Sequence, residues 1–199
     1  MGRQSLDHSD RLSLSSFELQ SDTNSSSDNG SEGADSGTVS EYGRTYHGYH
    51  AGAYLLPNDE EEQHRLDIQH VTLHLLLDQK LSYAPIQHPH CVLDVATGTG
   101  AWAIEFARAH PELQVVGTDL SMIQSKNRPH NVFFVREDAE ADEWNHPVPF
   151  DYIHLRLFYT SFFNMDVIIK NIWDNLEPGG WLEFQDHTPE VMSFDGSAH

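Results

Sequence analysis

The chain has 199 residues, with 31 Asp and Glu against 11 Lys and Arg, for a net charge of −20. That length suits one domain with a proper core and a tail. The charge argues against an electrostatic grip on nucleic acid or anionic lipid, which need clustered Lys and Arg. The single cysteine, Cys91, excludes an intrachain disulfide, fits a reducing compartment, and at the head of an apolar run reads as a buried thiol. No stretch approaches the roughly 20 apolar residues of a membrane helix, and the N-terminus lacks the apolar core of a secretory signal. Leu6 stands where a myristoylation signal needs Ser or Thr. A soluble, cytoplasmic or nuclear protein is expected, and the sequons at Asn24 and Asn29 then read as chance matches.

Residues 1–40 are rich in Ser, Asp and Gly and hold too few apolar side chains to offset the entropy of ordering, so a disordered tail is expected there. Its serines lie beside acids, which would also suit a phosphorylatable arm. Residues 41–90 begin with an aromatic, glycine-punctuated lead-in. Pro57-Asn58-Asp59 then reads as a turn and helix start, with Asn58 or Asp59 as N-cap and Glu60, Glu61 and Glu62 in the first turn. Leu66, Leu73 and Leu77 fall on one face of that helix with Leu76 beside them, and Pro85 prevents its continuation.

From residue 91 onward strands and helices alternate. "CVLDVA", "LQVVGTD", "NVFFVRED", "FDYIHLRL" and "WLEFQD" read as five strands. "GAWAIEFARAHP" reads as a helix through Trp102, Ile104, Phe106 and Ala107. "MDVIIKNIWDNLEPGG" reads as another, with Ile168, Ile172 and Leu176 on one side. Trp102 and Trp173 are expected in the core. The alternation predicts an α/β, doubly wound, mostly parallel sheet with helices on both faces.

In such sheets ligands bind beyond the carboxyl ends of the strands. The five predicted strands end in Asp94, Asp119, Asp138, the pair His154 and Arg156, and Asp186. Three carboxylates around one crevice would repel a pyrophosphate and suit a ligand with hydroxyls, an ammonium and a cationic centre. Gly98-Thr99-Gly100-Ala101-Trp102-Ala103 satisfies the relaxed dinucleotide fingerprint, which is a weak signal alone, and Asp119 lies 19 residues beyond Gly100, where a ribose-binding acid belongs. NAD and S-adenosylmethionine both carry a ribose. Asp94, four residues before Gly98, favours the second, because a carboxylate stabilises its amino group and sulfonium and opposes a pyrophosphate.

"VLDVATGTGAWAIEFARAHP" resembles motif I of the class I S-adenosylmethionine methyltransferases, which have a Rossmann-like fold. "VVGTDLS", "VREDAEADEW" and "LEPGGWLEFQD" are similar to the segments that follow it. More narrowly, "YHGYHAGAYLLPNDEEEQHRLDIQH", "TGTGAWAI", "GTDLSMIQ", "FDYIHLR" and "PGGWLEFQD" together resemble the fungal LaeA-like methyltransferases, across about residues 41 to 190. That family includes a nuclear velvet-complex regulator of secondary metabolism and many enzymes of metabolite gene clusters.

The resemblance implies S-adenosylmethionine as cofactor, with Asp94, Gly98 and Gly100 along its methionine part. It implies Asp119 on the ribose hydroxyls, Leu120 against the adenine, and Asp138 and Ala139 flanking that ring. His154 and Arg156 would lie beside the transferable methyl, and Tyr46 and Tyr54 in a lead-in that closes over the cofactor. A small-molecule or protein methyl acceptor is implied, together with a velvet-type protein partner if the chain is a regulatory subunit. His154 is the first candidate for a general base, followed by Asp186 and His187; a core histidine is the equal alternative for His154.

Two departures from the family pattern stand out. Ala96 occupies the position of the motif's first glycine. The chain ends shortly after the fifth strand, where such methyltransferases continue with helices and an antiparallel hairpin, so residues 91–199 are expected to be a methyltransferase domain lacking its C-terminal part. Among the 14 histidines, His70 and His74 share a helical face and His47 and His50 are close, yet third and fourth ligands at recognisable spacing are absent, and no metal site is expected.

Overall fold

The computed structural model describes residues 38–49, 54–159 and 161–187. The expected tail falls outside the described residues as far as residue 37. The first described element is a hairpin of β1 (Thr38–Glu41) and β2 (Arg44–His47) that pairs Thr38 with His47. Tyr42 and Gly43 both hold positive φ at its tip, the geometry that matches the twist of two-residue hairpins.

Helix α1 (Glu60–Leu76) starts at Asp59, whose carboxylate accepts from Glu62 N–H at 3.1 Å. Asp59 is also gripped by Arg44, through Nε at 2.5 Å and Nη2 at 2.9 Å, which fastens the hairpin to the helix start. Of the expected apolar face, Leu66, Leu73 and Leu77 are half-buried, but Leu76 is 73% exposed. The one buried residue of α1 is polar, Glu62, while Ile68, Val71 and Leu75 point outward.

The remaining strands are β3 (Cys91–Val95), β4 (Gln114–Asp119), β5 (Val132–Arg136), β6 (Phe150–Arg156) and β7 (Leu176–Gln185). They form one all-parallel sheet in the order β5-β4-β3-β6-β7. The order reverses at β3, so the switch point lies between β3 and β6. Strand alternation splits the core in two. Cys91, Leu93, Val95, Ile153 and Leu155 face helix α3 (Met165–Asn175) through Ile168 and Ile172. Val92, Val115, Val132 and Tyr152 face helix α2 (Ala101–Ala109) through Trp102, Ala103 and Phe106. Asp94 and His154, two residues beyond Val92 and Tyr152, therefore lie on the α2 side.

Two expectations for the C-terminal part change. Trp173 is 78% exposed, because α3 buries the stripe containing Ile168, Asn171 and Ile172 and turns Ile169 and Trp173 outward. Leu176 leaves the helix and opens β7, pairing with Phe150, while Trp181 pairs with Tyr152. The Glu177-Pro178-Gly179-Gly180 stretch between them makes a bulge. Among the described residues no helix is long and apolar enough to cross a membrane.

Asn131 closes the far end of α2. Its amide nitrogen lies 3.1 Å from Ala107 O, 3.1 Å from His110 O and 2.9 Å from Leu113 O, so its two N–H groups are shared among carbonyls of the helix end and of the turn that follows. Asn131→Ala is expected to cost about 1–3 kcal/mol, the penalty for stranding buried polar groups. Asn131→Asp should cost more, because a carboxylate would face carbonyl oxygens. Urea unfolding checks both through a lowered midpoint.

Candidate functional site

The loop leaving β3 is tightly constrained. Ala96, Gly98 and Gly100 all hold positive φ, at 54°, 60° and 77°. A Cβ on Gly100 would run into the Phe134 ring, and one on Gly117 would meet the same ring at 2.7 Å. Phe134 thus fills the space that two glycines leave, and the loop rests on it. Thr97 N–H donates to Thr118 O (2.9 Å), and Gln124 Nε2 donates to Gly98 O (2.8 Å), binding the loop to β4 and to the segment after it.

Two carboxylates complete this frame. Asp94 Oδ1 lies 2.8 Å from His154 Nδ1, and Asp94 Oδ2 accepts from Thr97 Oγ1 at 2.5 Å. Asp119 accepts from Gly98 N–H at Oδ2 (2.8 Å) and from Ser121 N–H at Oδ1 (2.9 Å). Burial pushes the Asp119 carboxyl up to about 6, and the two backbone hydrogen bonds only partly offset it.

A cavity of about 250 Å³ opens above this frame, at the carboxyl ends of β3, β4, β5 and β6. Of the expected cofactor residues, Asp94, Gly98, Asp119, Leu120, Asp138, Ala139 and Tyr54 line it. Gly100 lies behind the wall against Phe134. Tyr46 is off the wall and its neighbour His47 is on it, since adjacent strand residues point to opposite sides. His47 is buried and ties the lead-in together, with Nδ1 at 2.7 Å from Tyr49 O and Nε2 accepting from Tyr54 N–H at 3.2 Å.

Neither expected catalytic residue reaches the wall. His154 is 0% exposed, stacked on Trp102 with ring centroids 3.7 Å apart, and its Nε2 has no partner. Asp186 accepts from the N–H groups of Tyr159 (2.7 Å) and His187 (2.8 Å) and borders a second cavity between the end of α1 and β7. His187 and Arg156 do line the first cavity.

The sequence reading overlooked what α1 contributes. Arg65, Leu66, Gln69 and His70 form one wall of the cavity. Their spacing is a plain i, i+1, i+4, i+5 helical face, but its polarity masks it as solvent-facing. Asn58 is another omission: buried, it donates from Nδ2 to Ser121 Oγ (3.3 Å) and so joins the helix start to the loop after β4.

The wall carries Asp94, Asp119, Glu137, Asp138 and Glu140. The Gly98 N–H is taken by Asp119 and the Gly100 N–H by Thr97 O, so neither is free to cradle a phosphate. This set of acceptors fits a cationic, hydroxyl-bearing nucleoside and opposes a pyrophosphate. A doubly wound sheet with such a site at its switch point defines a class of nucleotide- and nucleoside-binding proteins. The family model for a methyltransferase domain matches residues 63–197, and the chain belongs to that family.

Methyltransferase pytC of Aspergillus terreus is 43% identical over 158 residues, covering 78% of this chain and 48% of that protein. Protein-methionine methyltransferase laeA of Emericella nidulans is 41% identical over 151 residues, covering 72% of this chain and 39% of that protein. The chain thus spans about half or less of the length of these curated relatives. The fold is shared with the plantazolicin methyltransferase BpumL in complex with SAH (TM-score 0.51, 16% identity, 64% of this chain and 54% of that one). It is also shared with the O-methyltransferase from a trans-AT PKS multienzyme of Brevibacillus brevis in complex with S-adenosyl-L-homocysteine (TM-score 0.50, 16% identity, 69% and 50%).

Ala96→Gly should stabilise the protein by about 1 kcal/mol, since an L side chain in the left-handed region costs roughly that much; a raised thermal midpoint checks it. Asp119 gives a pH signature. Its folded value lies above its ordinary 3.8, so the native chain keeps a proton that the unfolded chain has lost. Its contribution to stability therefore falls as pH rises from about 4 to about 6, by up to about 3 kcal/mol. Urea midpoints measured across that window should slope downward, and Asp119→Asn should flatten the slope.

Proposed function

We propose that the chain binds S-adenosylmethionine at the β3–β4 edge and transfers its methyl group to a small-molecule or protein acceptor, in fungal secondary metabolism and in the cytoplasm or nucleus. The observation that carries this reading is the pair of carboxylates on the switch-point loop: Asp94 at the end of β3 and Asp119 spanning Gly98 and Ser121. Asp94 would face the methionine ammonium. Asp119 keeps lone pairs for ribose hydroxyls after accepting two N–H groups. Leu120, Asp138 and Ala139 would enclose the adenine, with Trp144 Nε1–H fixing the Ala139 carbonyl at 3.1 Å. Tyr54, which hydrogen-bonds to Ser161 and whose phenol is pushed up by burial, by Glu62 and by Asp119, would close the cavity from the lead-in side.

When bound, the sulfonium supplies an activated methyl group. This chain's part is to align it with the acceptor, and alignment accounts for much of the rate of an in-line displacement. His154, sealed beneath the wall, acts on Asp94 as a positioning residue. The general-base role expected of it passes to groups at the cavity mouth, where His187 lies, for acceptors that must lose a proton. Asp186 is held outside and receives no role in proton transfer.

A regulatory subunit is the second reading, favoured by relatives such as the secondary metabolism regulator laeA of Aspergillus niger, 41% identical over 145 residues. In that case the chain would be catalytically weak or inactive and would act through a nuclear complex with a velvet-type protein partner. Calorimetric titration with S-adenosylhomocysteine tests the shared premise. Binding is expected, weakened at least about tenfold by Asp94→Asn, in line with loss of a charged hydrogen bond. A folded chain that binds neither this ligand nor S-adenosylmethionine would overturn both readings.

A further inference from the structure

Arg156 ends β6 after Leu155, which pairs with Val95 of β3, and Asp94 lies near enough to act on its charge. It is half-buried and lines the cavity. Arg156 Nη2 donates to His70 Nδ1 at 2.5 Å, and His70 Nε2–H donates to Glu105 Oε2 at 2.8 Å. These partners assign His70 the neutral tautomer with its proton on Nε2. Burial and the adjacent Arg156 charge lower the His70 value, which keeps the ring neutral, although Glu105 acts the other way. Three elements thus meet at one point: Glu105 from α2, His70 from α1 and Arg156 from β6.

The chain Glu105–His70–Arg156 has a consequence for charge. The direct partner of Arg156 among the described residues is a neutral imidazole, which fixes its direction without neutralising it. Asp94 and Glu105 act on it only through space. The other arginine on the wall is different. Arg65 Nε and Nη2 lie on both oxygens of Glu62, and Nη1 is on Gln69 Oε1. Arg65 is therefore committed, and Arg156 retains donors for a ligand anion. An acid and a guanidinium side by side match the ammonium and carboxylate of one α-amino acid.

Resting on the cofactor reading above, we infer that Arg156 binds the carboxylate of the methionine moiety, and that His70 and Glu105 are positioning residues that aim it there. A carboxylate on the methyl acceptor is the same chemistry from another source, and the test separates the two. S-adenosylhomocysteine and 5′-methylthioadenosine share nucleoside and thioether, and only the first has the amino-acid head. Both are titrated calorimetrically into the full chain.

Wild type should prefer S-adenosylhomocysteine. Arg156→Gln should weaken that ligand about tenfold to a hundredfold, the range for a charge-assisted hydrogen bond, and leave methylthioadenosine within about twofold. Arg156→Lys, which keeps the charge without the fork, should fall between, and it serves if the glutamine variant does not fold. His70→Ala should lower the preference severalfold. His70→Asn, whose Oδ1 can replace Nδ1 as acceptor, should restore part of it. Arg108→Gln, outside both cavities, should leave the preference unchanged.

Equal losses for both ligands would overturn the inference in favour of a merely structural role. Unchanged affinities for both ligands in the Arg156 variants would overturn the inference and leave Arg156 for an acceptor carboxylate instead. Wild type that binds methylthioadenosine but shows no preference would overturn the inference and leave the nucleoside site standing. Wild type that binds neither would overturn the cofactor reading with it.

Discussion

The site depends on holding five residues, Ala96 to Gly100, in a backbone that most side chains refuse. Three of the five sit at positive φ, and each such residue with a Cβ costs about 1–2 kcal/mol. The loop persists because everything around it is specified. Thr97 is tied to Asp94 and to Thr118, Gly98 to Asp119 and Gln124, and Phe134 fills the floor under Gly100 and Gly117. The same bonds that brace the loop direct its N–H groups away from the cavity and leave carboxylates facing inward. Bracing and ligand preference are thus one arrangement: a loop held by acids presents acids.

Register explains how those acids come to be there. Asp94 pairs with Gly117 on one side and His154 on the other, so Gly117 leaves room for Phe134 while His154 meets the Asp94 carboxylate. A shift of β6 by one residue would put Leu155 opposite Asp94 and turn His154 to the α3 side, because side chains alternate along a strand. The Trp102 ring, stacked on His154, holds that register from the α2 side. The lead-in and α1 then roof the site through Arg44–Asp59, Asn58–Ser121 and His70–Arg156. These roof contacts are polar, which suits a cover that must meet both a polar ligand and water.

Much of the fold and half of the site could be read from the residues alone. The five parallel strands show as short apolar runs, each ending in a polar residue, because a strand buried on both faces has no other composition open to it. Asp94, Asp119 and the glycines were legible because turn chemistry and strand ends are local. Ala96 was legible as an irregularity for the same reason, and its φ of 54° carries the strain its position implied. Trp173, Leu76 and the start of β7 were misread. Periodicity shows that a helix has two faces, and it does not say which one the sheet covers. The bulge at Glu177–Gly180 likewise depends on where β7 meets Phe150 and Tyr152.

The sequence by itself determined the fold class, the switch-point loop and the acids that line it, since these follow from local composition and strand order. Tertiary structure alone decided that His154 lies sealed against Trp102, that His47 rather than Tyr46 reaches the cavity, and that α1 turns its polar face inward. It alone brought Glu105, His70 and Arg156 into line. The contacts behind the sealed histidine and the aligned trio join side chains 35 to 86 positions apart, and distance in the chain carries no trace of proximity in space.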